Sequence, residues 1–460
     1  MNFMDINYTR EKYPVFIYRD YSIKRDKDEI VLAFNFTIEG LTDFSPEISI
    51  DTKNLTLLNN FDSEAANRIV FALGLVEAVS YFKAVCPKTI KVLCGALSEK
   101  EAQWFKKLWY NGLGEFFYIN NIDIDFENFI EIKAQKGNKK PINSFIKGGQ
   151  NLIPIGGGKD SCVTLSLLKE QKNLFITIND QKARTDCVKA AGFGEEYIIK
   201  TKRVIDKRLL ELNRQGFLNG HTPFSAIVAF LSLYCAYITG CENIALSNES
   251  SANEGNIDGE DINHQYSKSF EFEADFRDYV STFLMSGIEY FSLLRPFNEL
   301  QIAKYFSLEK QYHKAFISCN KGAAKNIWCR NCSKCLFVFG VLSPFLEDEE
   351  MVQIFSENLL DNKSLLSEFK GLLGHSPVKP FECVGTAKEY LFAVSKKTIA
   401  LKKQGKRLPY LLNYLDSTED TKQIVKKGES LFSEFNSEHR VPEELMFAVE
   451  EMKRVVTQSN

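Results

Sequence analysis

Residues 153–161, with the sequence IPIGGGKDS, combine residue types that together can bind the phosphates of a nucleotide. Apolar residues typical of a buried strand precede three glycines, and a helix is predicted to begin at Asp160 or Ser161. Glycine has no Cβ atom, so the backbone here can turn sharply and approach a ligand closely. The free N–H groups of the helix point back at this turn and attract anions. The segment therefore predicts a phosphate site, and the alternative is a glycine-rich turn without a ligand.

The residues after the glycines separate two kinds of phosphate loop. Lys159 follows the glycines directly and precedes Asp160, so the segment is not a P-loop of the G-x-x-x-x-G-K-[ST] type. It resembles instead the PP-loop signature, usually Ser-Gly-Gly-x-Asp-Ser, of enzymes that cleave ATP between its α and β phosphates. Gly156 stands in place of the first serine of that signature. The resemblance implies that the ligand is ATP and that pyrophosphate is the leaving group.

Composition favours a cytoplasmic enzyme over a membrane, secreted or nucleic-acid-binding protein. The chain of 460 residues is long enough for two or three domains, and 44% of its residues are hydrophobic. A net charge of −3 argues against a general nucleic-acid surface. No apolar run approaches about 18 residues and residues 1–7 lack a signal-peptide profile, so neither a membrane span nor secretion is expected. Eleven cysteines in such a chain argue against a disulfide framework.

Three regions are predicted from the pattern of strands and helices. Residues 1–145 are predicted as an α+β domain, with strands at 13–18, 30–38 and 91–94 and helices at 65–84 and 99–111. A polar linker at 133–141 ends this domain. Residues 146–300 alternate helices with strands, at 151–155, 174–179, 196–200 and 243–247. Residues 301–460 are predicted to be mostly helical.

The alternation in residues 146–300 predicts an α/β fold in which helices cover both faces of a parallel sheet. Ligands of such sheets bind beyond the carboxyl ends of the strands. The glycine loop lies at this edge, and so does the polar segment that begins with Ser247, Asn248 and Glu249. We expect both segments to contact the nucleotide. Asn179, which ends the second strand, is a candidate for contacting adenosine, and a simple turn is an equally good interpretation.

Four cysteines within residues 319–335 have the spacing C-x9-C-x2-C-x2-C and can supply four thiolates to one metal ion. They are Cys319, Cys329, Cys332 and Cys335. A closed set of four thiolates leaves no position for water, so a structural Zn²⁺ site is expected. The alternatives are an iron–sulfur cluster, which also uses four thiolates, and four reduced cysteines without a metal.

Longer strings relate the chain to known enzyme families. The cysteine spacing after a PP-loop resembles that of 7-cyano-7-deazaguanine synthase, but that enzyme is much shorter and lacks counterparts of residues 1–145 and 380–460. The whole chain more closely resembles the UDP-N-acetylmuramoyl-L-alanyl-L-glutamate epimerases of peptidoglycan synthesis. Besides the glycine motif, this resemblance is carried by the strings at 247–256, 262–268, 291–296, 328–335 and 379–386.

The resemblance implies an ATP-dependent isomerase. This family inverts Cα of the terminal L-Glu of UDP-MurNAc-L-Ala-L-Glu to give the D-Glu epimer, and converts ATP to AMP and pyrophosphate. A Cα–H beside an ionised carboxylate is a very weak acid, because the enolate would carry adjacent negative charges. Adenylation removes that carboxylate charge, so a general base can take the proton. Reprotonation on the other face inverts the centre, and water then releases AMP.

In this hypothesis ATP, Mg²⁺ and a structural Zn²⁺ are the cofactors. Lys159 and the loop N–H groups stabilise the leaving pyrophosphate, and Asp160 is a candidate Mg²⁺ ligand. Ser161 either binds phosphate or only caps the helix, and Arg295 is a candidate for binding a carboxylate or phosphate. The size of the substrate suggests that residues 1–145 bind the UDP-sugar. The predicted nucleotide-binding set is Gly156, Gly157, Gly158, Lys159, Asp160, Ser161, Asn179, Ser247, Asn248, Glu249 and Arg295.

Inversion through opposite faces of Cα usually needs two acid–base groups, and five residues are candidates: His264, Cys383, Tyr266, Lys268 and His221. Cys383 is attractive because cofactor-free epimerases often use cysteine, and a packed structural cysteine is the alternative. Helix capping is the alternative role for His221. Two other classes of function stay open. One is a PP-loop ligase or amidating enzyme that activates another carboxylate, and the other is a non-catalytic nucleotide-binding regulator.

Overall fold

A computed structural model shows a mixed α/β protein built around one large sheet. The structure describes residues 6–179, 181–253, 263, 265–376 and 379–458. The strands in these ranges are β1 (Val15–Asp26), β2 (Glu29–Ile38), β3 (Thr42–Phe44), β4 (Glu47–Asp51), β5 (Thr89–Leu97), β6 (Glu131–Lys136), β7 (Gln150–Pro154), β8 (Asn173–Ile178), β9 (Ile198–Val204), β10 (Cys241–Leu246) and β11 (Glu289–Ser292). The helices are α1 (Ile6–Lys12), α2 (Glu64–Phe82), α3 (Glu99–Gly112), α4 (Gly114–Ile119), α5 (Phe126–Phe129), α6 (Lys159–Leu167), α7 (Lys182–Ala190), α8 (Lys207–Arg214), α9 (Phe224–Thr239), α10 (Phe270–Tyr279), α11 (Glu299–Leu308), α12 (Ser333–Leu342), α13 (Asp348–Phe355), α14 (Leu366–Leu372), α15 (Ala387–Lys403), α16 (Tyr410–Thr418), α17 (Thr421–Gly428) and α18 (Met446–Thr457).

One half of the sheet is parallel, with the strand order β11-β10-β7-β8-β9. Along the chain, β7 is the first of these strands, and the order reverses between β7 and β10. Doubly wound sheets bind ligands at such a reversal, beyond the carboxyl ends of the strands. The four strands predicted in this region are confirmed as β7, β8, β9 and β10, whereas β11 was not predicted.

Alternate side chains of the parallel strands enter two separate cores. Leu152, Ile176 and Ile244 pack in a core with residues of α2 and α9. Ile153 and Phe175 pack in another core with residues of α6 and of the C-terminal helices. Successive side chains of a strand point to opposite faces. Helices therefore cover both faces of this half-sheet, as the alternating pattern predicts.

The sheet continues into the N-terminal part of the chain. β9 pairs antiparallel with β4, and the order then runs β4-β2-β1-β5-β6, with β3 attached to β2. The strands of residues 1–145 and those of the α/β region thus belong to one sheet, and the domain boundaries stay a prediction. The described residues after β11 form helices and turns without a further strand.

One helix in the described part of the chain, α2, is long and apolar enough by length and composition to cross a membrane. In this protein 89% of its apolar 18-residue stretch is buried. Glu77 within it is fully buried, and its carboxylate accepts two hydrogen bonds from Arg203 of β9, at 2.7 and 2.9 Å. A buried charge paired with a residue of the sheet is the arrangement of a core helix.

Candidate functional site

A cavity of about 400 Å³ lies where the strand order reverses, at the carboxyl ends of β7, β8 and β10. This volume is within the usual range of small-molecule sites. Four stretches that are far apart in sequence meet here: the glycine loop, the segment after β10, residue 268 and residue 383. The predicted site residues that line the cavity are Gly156, Gly158, Asp160, Ser161, Ser247, Asn248, Lys268, Cys319 and Cys383.

The glycine loop leads into α6 as predicted, although the helix begins earlier, at Lys159. Gly158 is its N-cap residue, so Ser161 lies in the first turn and does not cap the helix. The Ser161 hydroxyl donates instead to the carbonyl oxygen of Gly158 at 2.9 Å. Gly157 has a φ of +81°, and a Cβ atom there would lie 3.2 Å from the backbone nitrogen of Arg184. The turn therefore requires glycine, and the first turn of α6 lines the cavity.

Lys159 does not line the cavity but enters a buried cluster of carboxylates. Its ammonium binds Asp160 and Glu299, and its side chain is 2% exposed. Burial lowers the pKa of this ammonium, but the two carboxylates raise it more, so it stays charged. Burial raises the pKa of Glu299 in spite of Lys159. In this arrangement Lys159 pairs with Asp160 and Glu299 rather than facing the predicted pyrophosphate position.

Lys268 and Cys383 form a contact pair on the wall of the cavity. Nζ of Lys268 donates to Sγ of Cys383 at 3.0 Å. Burial lowers the pKa of Lys268, but Cys383, Glu249 and Asp160 raise it more, so the ammonium is charged at neutral pH. A nearby ammonium stabilises a thiolate over a thiol. The pair is thus suited to proton transfer with a group bound in the cavity.

Arg295 is fully buried and organises the walls of the cavity. Its guanidinium donates to the carbonyl oxygen of Glu249 at 2.8 Å and to that of Lys268 at 2.6 Å. It also lies 3.2 Å from the carboxylate of Glu273. Arg295 therefore holds the segment after β10 against the segment that carries Lys268, and it does not line the cavity. Glu249 is buried beside it.

Three further predicted residues, Asn179, Tyr266 and His221, lie outside the cavity lining. Asn179 accepts a hydrogen bond from the Arg203 N–H at 2.9 Å and lines a second cavity over β4, β8 and β9. Tyr266 is buried, and burial raises the pKa of its hydroxyl. Nδ1 of His221 lies 3.4 Å from the carboxylate of Glu115. His264 lies outside the described residues.

Two more basic residues line the cavity, and sequence reasoning missed Arg184. Arg184 of α7 donates to the carbonyl oxygen of Asn179 at 3.1 Å, and nothing in its sequence context marks it. Lys334 donates from its ammonium to the carbonyl oxygen of Cys383. The sequence already offers Lys334, which lies between Cys332 and Cys335, as a residue that either neutralises thiolate charge or faces a phosphate-bearing substrate.

The four cysteines converge as predicted. Their Sγ atoms all lie within 4.8 Å of one another, and those of Cys329 and Cys335 are 3.7 Å apart. A tetrahedral ion with Zn–S bonds of about 2.3 Å separates its sulfurs by about 3.8 Å. The N–H groups of Gly322 and Cys329 donate to Sγ of Cys319 at 3.1 and 3.4 Å, so the backbone helps to orient this sulfur. The cluster fits one zinc-like ion better than an iron–sulfur cluster, whose thiolates bind different irons.

Two family models match the chain. The model of the MurL N-terminal domain matches residues 7–293, and that of the MurL C-terminal domain matches residues 315–427. The first match covers more than half of the chain and includes the glycine loop and Lys268. The second includes the four cysteines and Cys383.

Curated relatives are similar over most of the chain. One from Xanthomonas oryzae pv. oryzae, named UDP-N-acetyl-alpha-D-muramoyl-L-alanyl-L-glutamate epimerase, is 33% identical over 342 residues, which are 72% of this chain and 75% of the relative. A Micromonospora protein of the same name is 32% identical over 384 residues, 82% of this chain and 84% of the relative. No solved structure matches the chain. The two family models and these relatives together show that the chain belongs to the MurL family.

Proposed function

We propose that the protein is an ATP-dependent epimerase that inverts the terminal L-Glu of UDP-MurNAc-L-Ala-L-Glu to D-Glu during peptidoglycan precursor synthesis. The observation that carries this proposal is that the glycine loop and the Lys268–Cys383 pair line the same cavity. An ATP-driven inversion needs a phosphate-binding element and an acid–base group within reach of one substrate carbon. The name of the relatives supports this substrate and the epimerisation.

In the first step the substrate carboxylate attacks the α-phosphate of ATP, and the bond to pyrophosphate breaks. The N–H groups in the first turn of α6 have no acceptors within the helix, so they are donors for the departing phosphates. Burial raises the pKa of Asp160, but Lys159, Lys334 and Lys268 lower it more, so its carboxylate is ionised. An ionised carboxylate beside a phosphate site suits a Mg²⁺ ligand, and Mg²⁺ would neutralise phosphate charge there.

In the second step the acyl adenylate loses its Cα proton. Cys383, whose Sγ accepts a hydrogen bond from the ammonium of Lys268, exchanges this proton on one face of Cα. A second group serves the opposite face, and His264, which shortly precedes Lys268 in sequence, is our candidate. After reprotonation on the opposite face, water cleaves the acyl phosphate bond and releases AMP and the D-Glu epimer.

Two variants separate these steps. Asp160→Ala should abolish pyrophosphate release, whereas Cys383→Ala should still form AMP but exchange the Cα proton with D₂O only at a low residual rate. Asp416→Ala serves as the matched control, because its ion pair with Lys402 joins α15 and α16 and neither residue lines the cavity. Circular dichroism checks that each variant is folded. Turnover retained by Asp160→Ala, or Cα exchange retained by Cys383→Ala, would remove these residues from the proposed roles.

A further inference from the structure

We infer that Lys334 is a positioning residue that, from within the cysteine cluster, holds the backbone of Cys383 on the wall of the cavity. The inference rests on the proposed role of Cys383 and adds a function to the cluster beyond stabilising the fold. In this inference Lys334, which lies between Cys332 and Cys335, helps to set the position of the Cys383 thiol relative to the substrate.

The stretch that carries Cys383 is fixed largely by contacts with side chains. Residues 379–386 form neither helix nor strand, so no regular ladder of hydrogen bonds holds them. The ammonium of Lys334 donates to the carbonyl oxygen of Cys383. The amide of Asn320 donates to the carboxylate of Glu382 at 2.8 Å. Two residues next to metal-binding cysteines thus hold two consecutive residues of this stretch.

The segment that carries the cysteines, residues 317–334, also contacts the glycine loop. The N–H of Ile317 donates to the carbonyl oxygen of Gly157 at 2.8 Å. A Cβ atom on Gly158 would lie 2.8 Å from Oγ of Ser318, so the side chain of Ser318 packs against this glycine. Residues 317–334 therefore lie between the phosphate-binding loop and the thiol, and they set the distance between the two.

This distance matters because proton transfer requires the thiol to lie within hydrogen-bond reach of Cα while the acyl phosphate occupies the cavity. A displacement of about 1 Å at a reacting group can lower a rate about 100-fold. Cys332 and Cys335 flank Lys334 at the start of α12, so a metal held by the four thiolates would fix the stem of Lys334. The residue itself needs no contact with the substrate to have this effect.

The test compares zinc-loaded Lys334→Met, Lys334→Arg and Lys325→Met with the wild type. Methionine removes the donor, arginine keeps it, and Lys325 is an exposed lysine of the same segment that serves as the control. Lys334→Met should keep its metal content, but its kcat should fall roughly 10- to 100-fold. Alkylation of Cys383 by iodoacetamide, followed by peptide mass spectrometry, should become several-fold faster because the stretch is released. Lys334→Arg should restore both quantities to within a few-fold of the wild type.

Wild-type kcat and alkylation rate in Lys334→Met would overturn the inference, and so would equal losses in Lys325→Met. If Lys334→Met does not fold, Asn320→Ala makes the same test at the neighbouring contact, with a smaller expected effect. A wild-type protein without epimerase activity would refute the proposed function but not the inference. The alkylation rates would then decide on the position of Cys383 without any turnover.

Discussion

Replacement of Lys268 by methionine should slow the exchange of the substrate Cα proton by roughly 10- to 150-fold. Methionine is unbranched and of similar length, but it lacks the ammonium that donates to Sγ of Cys383 at 3.0 Å. A hydrogen bond to a charged group contributes about 1.5–3 kcal/mol, and each 1.36 kcal/mol corresponds to a factor of ten in rate. The expected range follows if this contact is formed in the transition state with its full strength.

The assay is incorporation of deuterium at Cα of UDP-MurNAc-L-Ala-L-Glu in D₂O, with ATP and Mg²⁺ present. Because Lys268 also lies near Glu249 and Asp160, a single variant does not isolate its contact with the thiol. A double-mutant cycle does so, because two residues that act as a unit have non-additive effects. In the Cys383→Ala background, Lys268→Met should have little further effect. Lys268→Arg, which keeps a charged donor, should retain most of the activity.

Two results would refute this reasoning. Exchange within about twofold of the wild type in Lys268→Met would show that the ammonium does not support the thiolate. A full additional loss when Lys268→Met is placed on Cys383→Ala would show that Lys268 acts elsewhere, for example on the carboxylates or on bound phosphate.

Metal content, a buried ion pair and a buried lysine provide three more tests. Wild-type protein purified without chelator should contain about one zinc ion per chain, and the Cys332→Ser variant should contain much less zinc. Elemental analysis that finds no zinc in the wild type would contradict the four-cysteine site. Arg203→Met should lower the free energy of unfolding in urea by about 3–5 kcal/mol, because Glu77 stays buried without its partner. A loss below about 1 kcal/mol would argue against a buried ion pair. Burial lowers the pKa of Lys83 from 10.5 to about 8. Between these two pH values the unfolded state binds more protons than the folded state, so the wild type becomes more stable as the pH rises. Lys83→Met should thus be most stable relative to the wild type near pH 7 and lose that advantage by about pH 10, and a difference that does not change with pH would contradict this.

Elements with a long apolar pattern could be predicted from the sequence. The helix predicted at 65–84 is α2, and the strand predicted at 30–38 is β2, each within two residues at either end. Their periodicities are local and extend over nine residues or more, so neighbouring residues suffice to identify them. β4 has only Ile48 and Ile50 as buried residues, and a pattern this short is not distinctive.

Long-range pairings could not be predicted in the same way. The joining of the N-terminal strands to the parallel half-sheet depends on β4 meeting β9, about 150 residues away in sequence. The local motif predicts a lysine beside phosphate, but Lys159 meets Glu299, a residue that sequence alone places only at the start of a later helix. The contact of Lys268 with Cys383 likewise spans 115 residues. The sequence alone could name Lys268 and Cys383 as candidate acid–base residues, but it could not show that the two are in contact.

The central claim is that one cavity couples ATP cleavage to inversion of a glutamate centre. The most direct test incubates purified protein with ATP, Mg²⁺ and UDP-MurNAc-L-Ala-L-Glu and follows AMP together with the chirality of glutamate released by acid hydrolysis. The account predicts that AMP and D-Glu both appear and that D-Glu requires ATP. AMP without inversion would indicate a ligase or amidating enzyme that activates a carboxylate, and D-Glu formed without ATP would contradict activation by adenylation.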